Sequence, residues 1–303
     1  MRAAVLLLSA LTLGSVSVEV QQPSPPRAAV ELRLAAYVAS LRTIAVRVVD
    51  ETPMPFLLDT GGGFTVLTPE VARAAGCIPF GRVTGFRSSG ERLDFPRCGP
   101  VTLTLGSLVV RTEAAIFDLA PLLKGAPPVG GVISLHTLRD RAVTLDLKAN
   151  RLIIETSTSL AHRIRGASEI PVRASRQAGG AALDLFLEAR TAQGSIWLEL
   201  DSGNAGPVLI SPHAMAQLGL SLSPEQPGRV ALEVPGLGAT SVDAVVKDLI
   251  YDGLLNAAFL ESIVLTVDLV AERAWATRHR ALASVPGLPD IIINMRGRGY
   301  PCC

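Results

Sequence analysis

The sequence predicts an all-β protein made of two similar halves. Three observations carry that reading. Two Asp-Thr/Ser-Gly triplets stand in matching surroundings, a second set of landmarks recurs at a constant offset, and short apolar runs are broken throughout by Gly, Pro and polar turns.

The triplets close the runs Pro55-Phe-Leu-Leu-Asp59-Thr-Gly61 and Ile196-Trp-Leu-Glu-Leu-Asp201-Ser-Gly203. Each is followed by an apolar pair, Val66-Leu67 and Val208-Leu209, and then by a helix start, Thr68-Pro69-Glu70 and Ser211-Pro212-His213. Thr and Ser are favoured N-caps, and Pro suits the first helical position. Gly76 and Gly219 each come 8 positions after the cap (76 − 68, 219 − 211), where Gly commonly ends a helix. Further on, Gly131 and Gly253, Asp146 and Asp268, and Arg151 and Arg273 are each 122 positions apart (253 − 131, 268 − 146, 273 − 151). The triplets are 142 apart (201 − 59), so the second copy is shorter by about 20 residues between its two landmarks. The surplus in the first copy includes residues 81–97, where Gly85, Phe86, Ser88, Ser89 and Gly90 lie between β-formers; this reads as a hairpin present in one copy only.

Strands are expected over 42–49, 101–105, 108–117, 143–154, 183–189, 230–234 and 263–270. Short helices are expected near 69–76, 134–140, 212–219 and 256–262, and the joint between copies near 156–170, where Thr, Ser, His and Arg replace the apolar rhythm.

An apolar run ending in Asp-Thr/Ser-Gly, with a later apolar-Gly-apolar segment, resembles the aspartic peptidases over roughly residues 40–277. The Gly131 segment with Val143-Thr-Leu-Asp146-Leu is similar to bacterial retropepsin-like proteins; two copies with a single hairpin resemble the pepsin arrangement. The resemblance implies a bilobal acid-protease fold: two homologous β-barrel-like lobes, a cleft between them, and one flap from the first lobe. The lobes would span 41–158, with the flap at 81–97, and 165–280. It also implies an endopeptidase with Asp59 and Asp201 as the catalytic pair, acting on peptide or protein without a cofactor or metal. Two features depart from the family pattern. Asn204 and Ala205 follow the second triplet, where small residues are usual, and the flap has no Tyr, leaving Phe86 or Phe95 to fill its place.

The chemistry explains the residues. Amide hydrolysis needs an activated water and a proton for the leaving nitrogen. Two carboxylates about 3 Å apart do not both ionise readily, so they share a proton. The ionised one serves as general base and the protonated one as general acid. Gly61 and Gly203 allow close backbone approach. By resemblance, Thr60 and Ser202 would cross-bond the two loops, the Gly131 and Gly253 segments would support them from beneath, and the flap would close on the substrate.

Asp146 and Asp268 also repeat, but each precedes an Arg by five positions, Arg151 and Arg273, as expected for a hairpin with the two facing across it. Asp94, Asp118, Asp184 and Asp243 read as solvated, His213 as a surface residue, and Trp197 and Trp275 as core or lobe-interface residues. No His/Cys spacing matches a zinc site. A net charge of +1 without basic stripes argues against nucleic acid, and 49% hydrophobic against 18% charged residues argues against disorder.

Met1-Arg2, the apolar run 3–13 and the small residues 14–17 read as a signal peptide over 1–20. An uncleaved anchor is the alternative, and a linker or short pro-segment would fill 21–40. Export suits a disulfide between Cys77 and Cys98. The tail 281–303, with Cys302 and Cys303, has no assigned role. Both half-sites lie in one chain, so a monomer suffices. The competing functional readings are a catalytically weak or inactive peptidase fold that binds peptides or a partner protein, and a structural envelope protein whose triplets are turns.

Overall fold

The computed structural model describes residues 28–49, 52–123, 125–191, 194–220 and 226–279. The expected signal peptide and the 281–303 tail lie outside the described residues. No helix among those described is long and apolar enough to cross a membrane.

Two rings of strands form the molecule. In the first, Arg42–Val48 is followed in space by Met54–Leu58, Gly131–Ile133, Val66–Leu67, Leu108–Ile116 and Arg92–Leu105, which pairs back with Arg42–Val48. In the second, Ala182–Thr191 is followed by Gly194–Leu200, Gly253–Leu255, Val208–Ile210, Gly238–Val246 and Gly228–Val234, which pairs back with Ala182–Thr191. The rings correspond strand for strand. The strand before each Asp runs parallel to the Gly131 or Gly253 strand, and that strand runs antiparallel to the next. Closure removes open edges, and period-two patterning fills the interior: Val230, Leu232 and Val234 are buried while Arg229, Ala231 and Glu233 face out.

Six antiparallel strands join the rings: Ser168–Ile170, Arg273–Arg278, Ile263–Asp268, Ala142–Asp146, Arg151–Glu155 and Val30–Ala36. Thr144 faces Thr266 in the middle pair with their Oγ1 atoms 2.9 Å apart, so residues 122 apart in the repeat meet where the halves meet. The chain therefore has the all-β bilobal fold that the sequence predicts.

Local signals act as read. The Thr68 and Ser211 hydroxyls accept from the N–H groups of Val71 and Ala214, capping helices Pro69–Ala74 and Pro212–Leu218. Gly219 takes the left-handed conformation at the second helix end, with φ 62°. Cys77 is bonded to Cys98, tying the end of the first helix to the base of the hairpin. Several elements were not expected, among them the strands Val172–Gln177 and Gly238–Val246. Helix Ser157–Arg163 stands in the 156–170 joint, where Thr156 and Ser159 cap each other. Strand Val30–Ala36 lies within the 21–40 stretch read as linker or pro-segment, and it buries Leu32 and Leu34 on one face.

Candidate active site

Each triplet hangs from the end of a strand at the centre of its ring. The Asp59 N–H donates to Ile133 O at 3.0 Å, and the Asp201 N–H donates to Leu255 O at 3.0 Å. Each Asp then turns back on its own loop: Asp59 Oδ1 accepts from Gly61 N–H at 3.0 Å, and Asp201 Oδ1 from Gly203 N–H at 2.7 Å. The glycines admit the opposite acid. A Cβ on Gly61 would lie 2.8 Å from Asp201 Cγ, and one on Gly203 would lie 2.6 Å from Asp59 Cγ.

Thr60 and Ser202 interlock the loops. Thr60 Oγ1 donates to Leu200 O and accepts from Ser202 N–H; Ser202 Oγ donates to Leu58 O and accepts from Thr60 N–H, all within 3.0 Å. Both residues are buried, so the four bonds satisfy the two hydroxyls together with two N–H groups and two carbonyls. They also leave the two aspartates little freedom to move apart. Beneath them, Gly131 and Gly253 pass so close to the neighbouring strand that a Cβ would meet Val66 O at 2.0 Å and Leu209 O at 2.3 Å.

The two carboxyls hydrogen-bond each other. Burial raises the pKa of both, and the Asp59 charge raises that of Asp201 further. The pair thus holds a proton at a pH where free carboxylates have none. Asn204, the departure after the second triplet, spends its side chain inside its own loop, accepting from Gly206 N–H at 2.9 Å and donating to Pro207 O at 3.1 Å.

The hairpin consists of Pro79–Phe86 and Arg92–Leu105, with Gly90 at φ 83° in its turn. Its tip reaches the other half, where Ser88 O accepts from Ile250 N–H at 2.9 Å. Gly85 passes over Phe64, whose ring a Cβ would meet at 2.7 Å. Phe95 is buried between Phe64 and Phe117, whereas Phe86 is 54% exposed, so Phe95 takes the inward place and Phe86 does not. No second hairpin stands at the corresponding place among the described residues.

Asp184, read as solvated, is instead buried beside the pair. Its strand, Ala182–Thr191, is buried on both faces from Ala182 to Leu187, and the Leu183 N–H donates to Gly63 O across the two halves. Its partner is Gln177, whose Nε2 donates to Oδ2 at 2.9 Å and also to the Tyr251 hydroxyl at 3.2 Å. Burial, then the charge of Asp59, pushes Asp184 up from 3.8 to about 7. Between those values the folded protein holds a proton that the unfolded chain has released, so stability falls as pH rises through that window. Asp184→Asn is expected to stabilise the protein at pH 8 by up to about 4 kcal/mol and to change little at pH 4, as read by thermal unfolding at both. Glu199, which the sequence reading passed over inside an apolar run, is 2% exposed; burial and the charges of Asp184, Asp201 and Asp59 raise its pKa as well.

The remaining acids behave more simply. Asp94, Asp118 and Asp243 are exposed. Asp146 pairs with Arg151 at 3.0 Å, as expected of a hairpin contact. Asp268 lies opposite Arg273 in register, but Arg273 pairs with Glu169 at 2.8 Å, and Asp268 instead accepts from the N–H groups of Val270 and Ala271. His213 is a surface residue beside Asp252, and Trp275 is buried. Among the described residues no His/Cys/Asp/Glu cluster is arranged to hold a metal.

Two strand rings with a cleft between them, one flap and a central aspartate pair define a peptidase-fold protein of the pepsin-like kind. Solved structures with this fold include conglutin gamma, a basic 7S globulin from lupine seeds, with a TM-score of 0.54 and 11% identity over 83% of this chain and 95% of that one. An aspartic proteinase from Irpex lacteus gives a TM-score of 0.52 and 15% identity over 85% of this chain and 99% of that one. Basic 7S globulin from soybean gives 0.51 and 11% over 82% and 94%. No family model and no curated protein matches the sequence. Globulins and a proteinase share the fold, so the choice of function falls to the residues of the site.

Proposed function

We propose that the chain is an aspartic endopeptidase in which Asp59 and Asp201 hydrolyse peptide bonds through a shared proton. The observation that carries this is the mutual arrangement of the two acids: buried, hydrogen-bonded to each other and held by reciprocal Thr60 and Ser202 bridges. A structural turn has no need of two buried carboxyls facing each other. A water between them would lose a proton to the ionised carboxylate while the other donates to the carbonyl oxygen; the tetrahedral species then collapses as the leaving nitrogen takes a proton. The titration belongs to the pair, so neither acid has a fixed role. The flap covers the cleft and would limit water around an extended substrate. The substrate is a peptide or protein, and one chain supplies both half-sites. The Cys77–Cys98 bond suits an exported protein in an oxidising compartment.

The test is incubation of the protein with a mixed peptide library from pH 3 to 8, with products read by mass spectrometry. Internal cleavage at reproducible bonds supports the reading. A folded protein that cuts nothing at any pH would replace it with a peptide-binding role.

A further inference from the structure

The two walls beside the aspartates differ in chemistry. Side chains along a strand alternate between faces, so the residue two before each Asp shares that Asp's side. In the first half this residue is Leu57, which packs with Val83, Phe95 and Val132 in an apolar cluster. In the second half it is Glu199, which lies opposite Phe186 on the neighbouring strand, with Asp184 two residues before Phe186 on the same face. The Glu199 carboxylate has no hydrogen-bond or ion-pair partner among the described residues, and no cation offsets either acid.

A buried acid without a partner weakens the fold, because its charge loses water and gains nothing in return. The fold does not call for it here, since the equivalent place in the same chain is filled by leucine. The acid therefore awaits a positive group from outside. The site is placed to receive one: Tyr251, whose hydroxyl shares the Gln177 amide with Asp184, adjoins Ile250, which binds the flap tip. The acidic wall thus lies under the covered part of the cleft.

Building on the peptidase reading, we propose that Glu199 and Asp184 form a subsite for a lysine or arginine side chain next to the scissile bond. An extended peptide also turns successive side chains to opposite faces. The two residues flanking the bond therefore meet different walls, one apolar at Leu57 and one acidic at Glu199. The protein is selective for a bond between an apolar and a basic residue.

The experiment pairs cleavage with binding, using N-acetylated peptides so that a terminal amine cannot supply the charge. Cleavage-site profiles of the wild type should show Lys or Arg enriched on one side of the bond and apolar residues on the other. Calorimetry should show a lysine peptide binding roughly 10- to 100-fold tighter than its norleucine analogue. Both preferences should vanish in Glu199→Leu, which copies the first-half residue, and in the isosteric Glu199→Gln. Selective binding without cleavage would sink the peptidase reading and leave the subsite standing. Cleavage or binding indifferent to the basic residue, or a preference that survives in both folded variants, would overturn the subsite.

Discussion

Asp201→Asn is expected to abolish peptide cleavage and to raise the melting temperature at neutral pH. The loss follows from the chemistry. An amide can neither hold the shared proton nor take one from water, and removing a positioned acid–base group costs a rate factor on the order of 10³. The gain follows from burial. Burial raises the pKa of both carboxyls, and the charge of Asp59 raises that of Asp201 as well, so near pH 7 folding must either take up protons or confine repelling charges. The unfolded chain, ionised near 3.8, bears neither cost. Stability from this pair therefore falls as pH rises above the unfolded pKa. Asparagine removes the repulsion and donates its amide to the Asp59 carboxylate. The stabilisation should be present at pH 8 and fade near pH 3, where the acids are protonated in both states; each kcal/mol regained raises the melting temperature by about 2–4 °C. Asp59→Asn should lose activity equally. Thermal unfolding at both pH values beside kcat/KM distinguishes the roles: a variant that is inactive and also less stable at pH 8 would mean that the carboxylate serves the fold.

That opposition between stability and activity marks the places where the sequence was most and least legible. The repeat was readable because its landmarks are backbone requirements, and these survive divergence. Thr68 and Ser211 must cap, Gly219 must turn left-handed, and Gly131 and Gly253 must leave room for a carbonyl. Constant spacing between such residues prescribes the same ring twice, and the strand pairings agree pair by pair. The single hairpin was legible for a similar reason, as a length difference between copies.

The acidic wall was not legible, and the cause is geometric. Alternation separates core from solvent only where one face of a strand is wet. Ala182–Thr191 is buried on both faces from Ala182 to Leu187, so Asp184 in an apolar strand looks the same whether it faces water or the cleft. Glu199 stands between Leu198 and Leu200, both buried. Its one sequence signal was the mismatch with Leu57 when the copies are aligned. Long-range ion pairing was equally hidden: Asp268 and Arg273 have the spacing of a hairpin pair, yet Glu169 of the adjoining strand takes the Arg in a two-bond contact.

Gly131→Ala and Gly253→Ala are expected to destabilise the protein by about 3 kcal/mol or more each, beyond what a buried methyl usually costs. The atoms a Cβ would meet first are backbone carbonyls, Val66 O at 2.0 Å and Leu209 O at 2.3 Å, and these cannot rotate aside as a side chain would. The second contacts are core side chains, Phe56 and Leu198, so moving the strand away opens the ring instead of relieving it. The strand also carries the site, since Ile133 O and Leu255 O hold the Asp59 and Asp201 N–H groups. A displaced strand therefore moves one aspartate relative to the other, and cleavage should fall along with stability. Gly99→Ala is the matched control, because its Cβ would meet nothing nearer than Phe80 at 3.7 Å. Denaturant midpoints of the three variants decide the matter. If all three fall together near wild type, the rings accommodate a methyl beneath each loop, and the close approach of these strands is not what holds the aspartates in place.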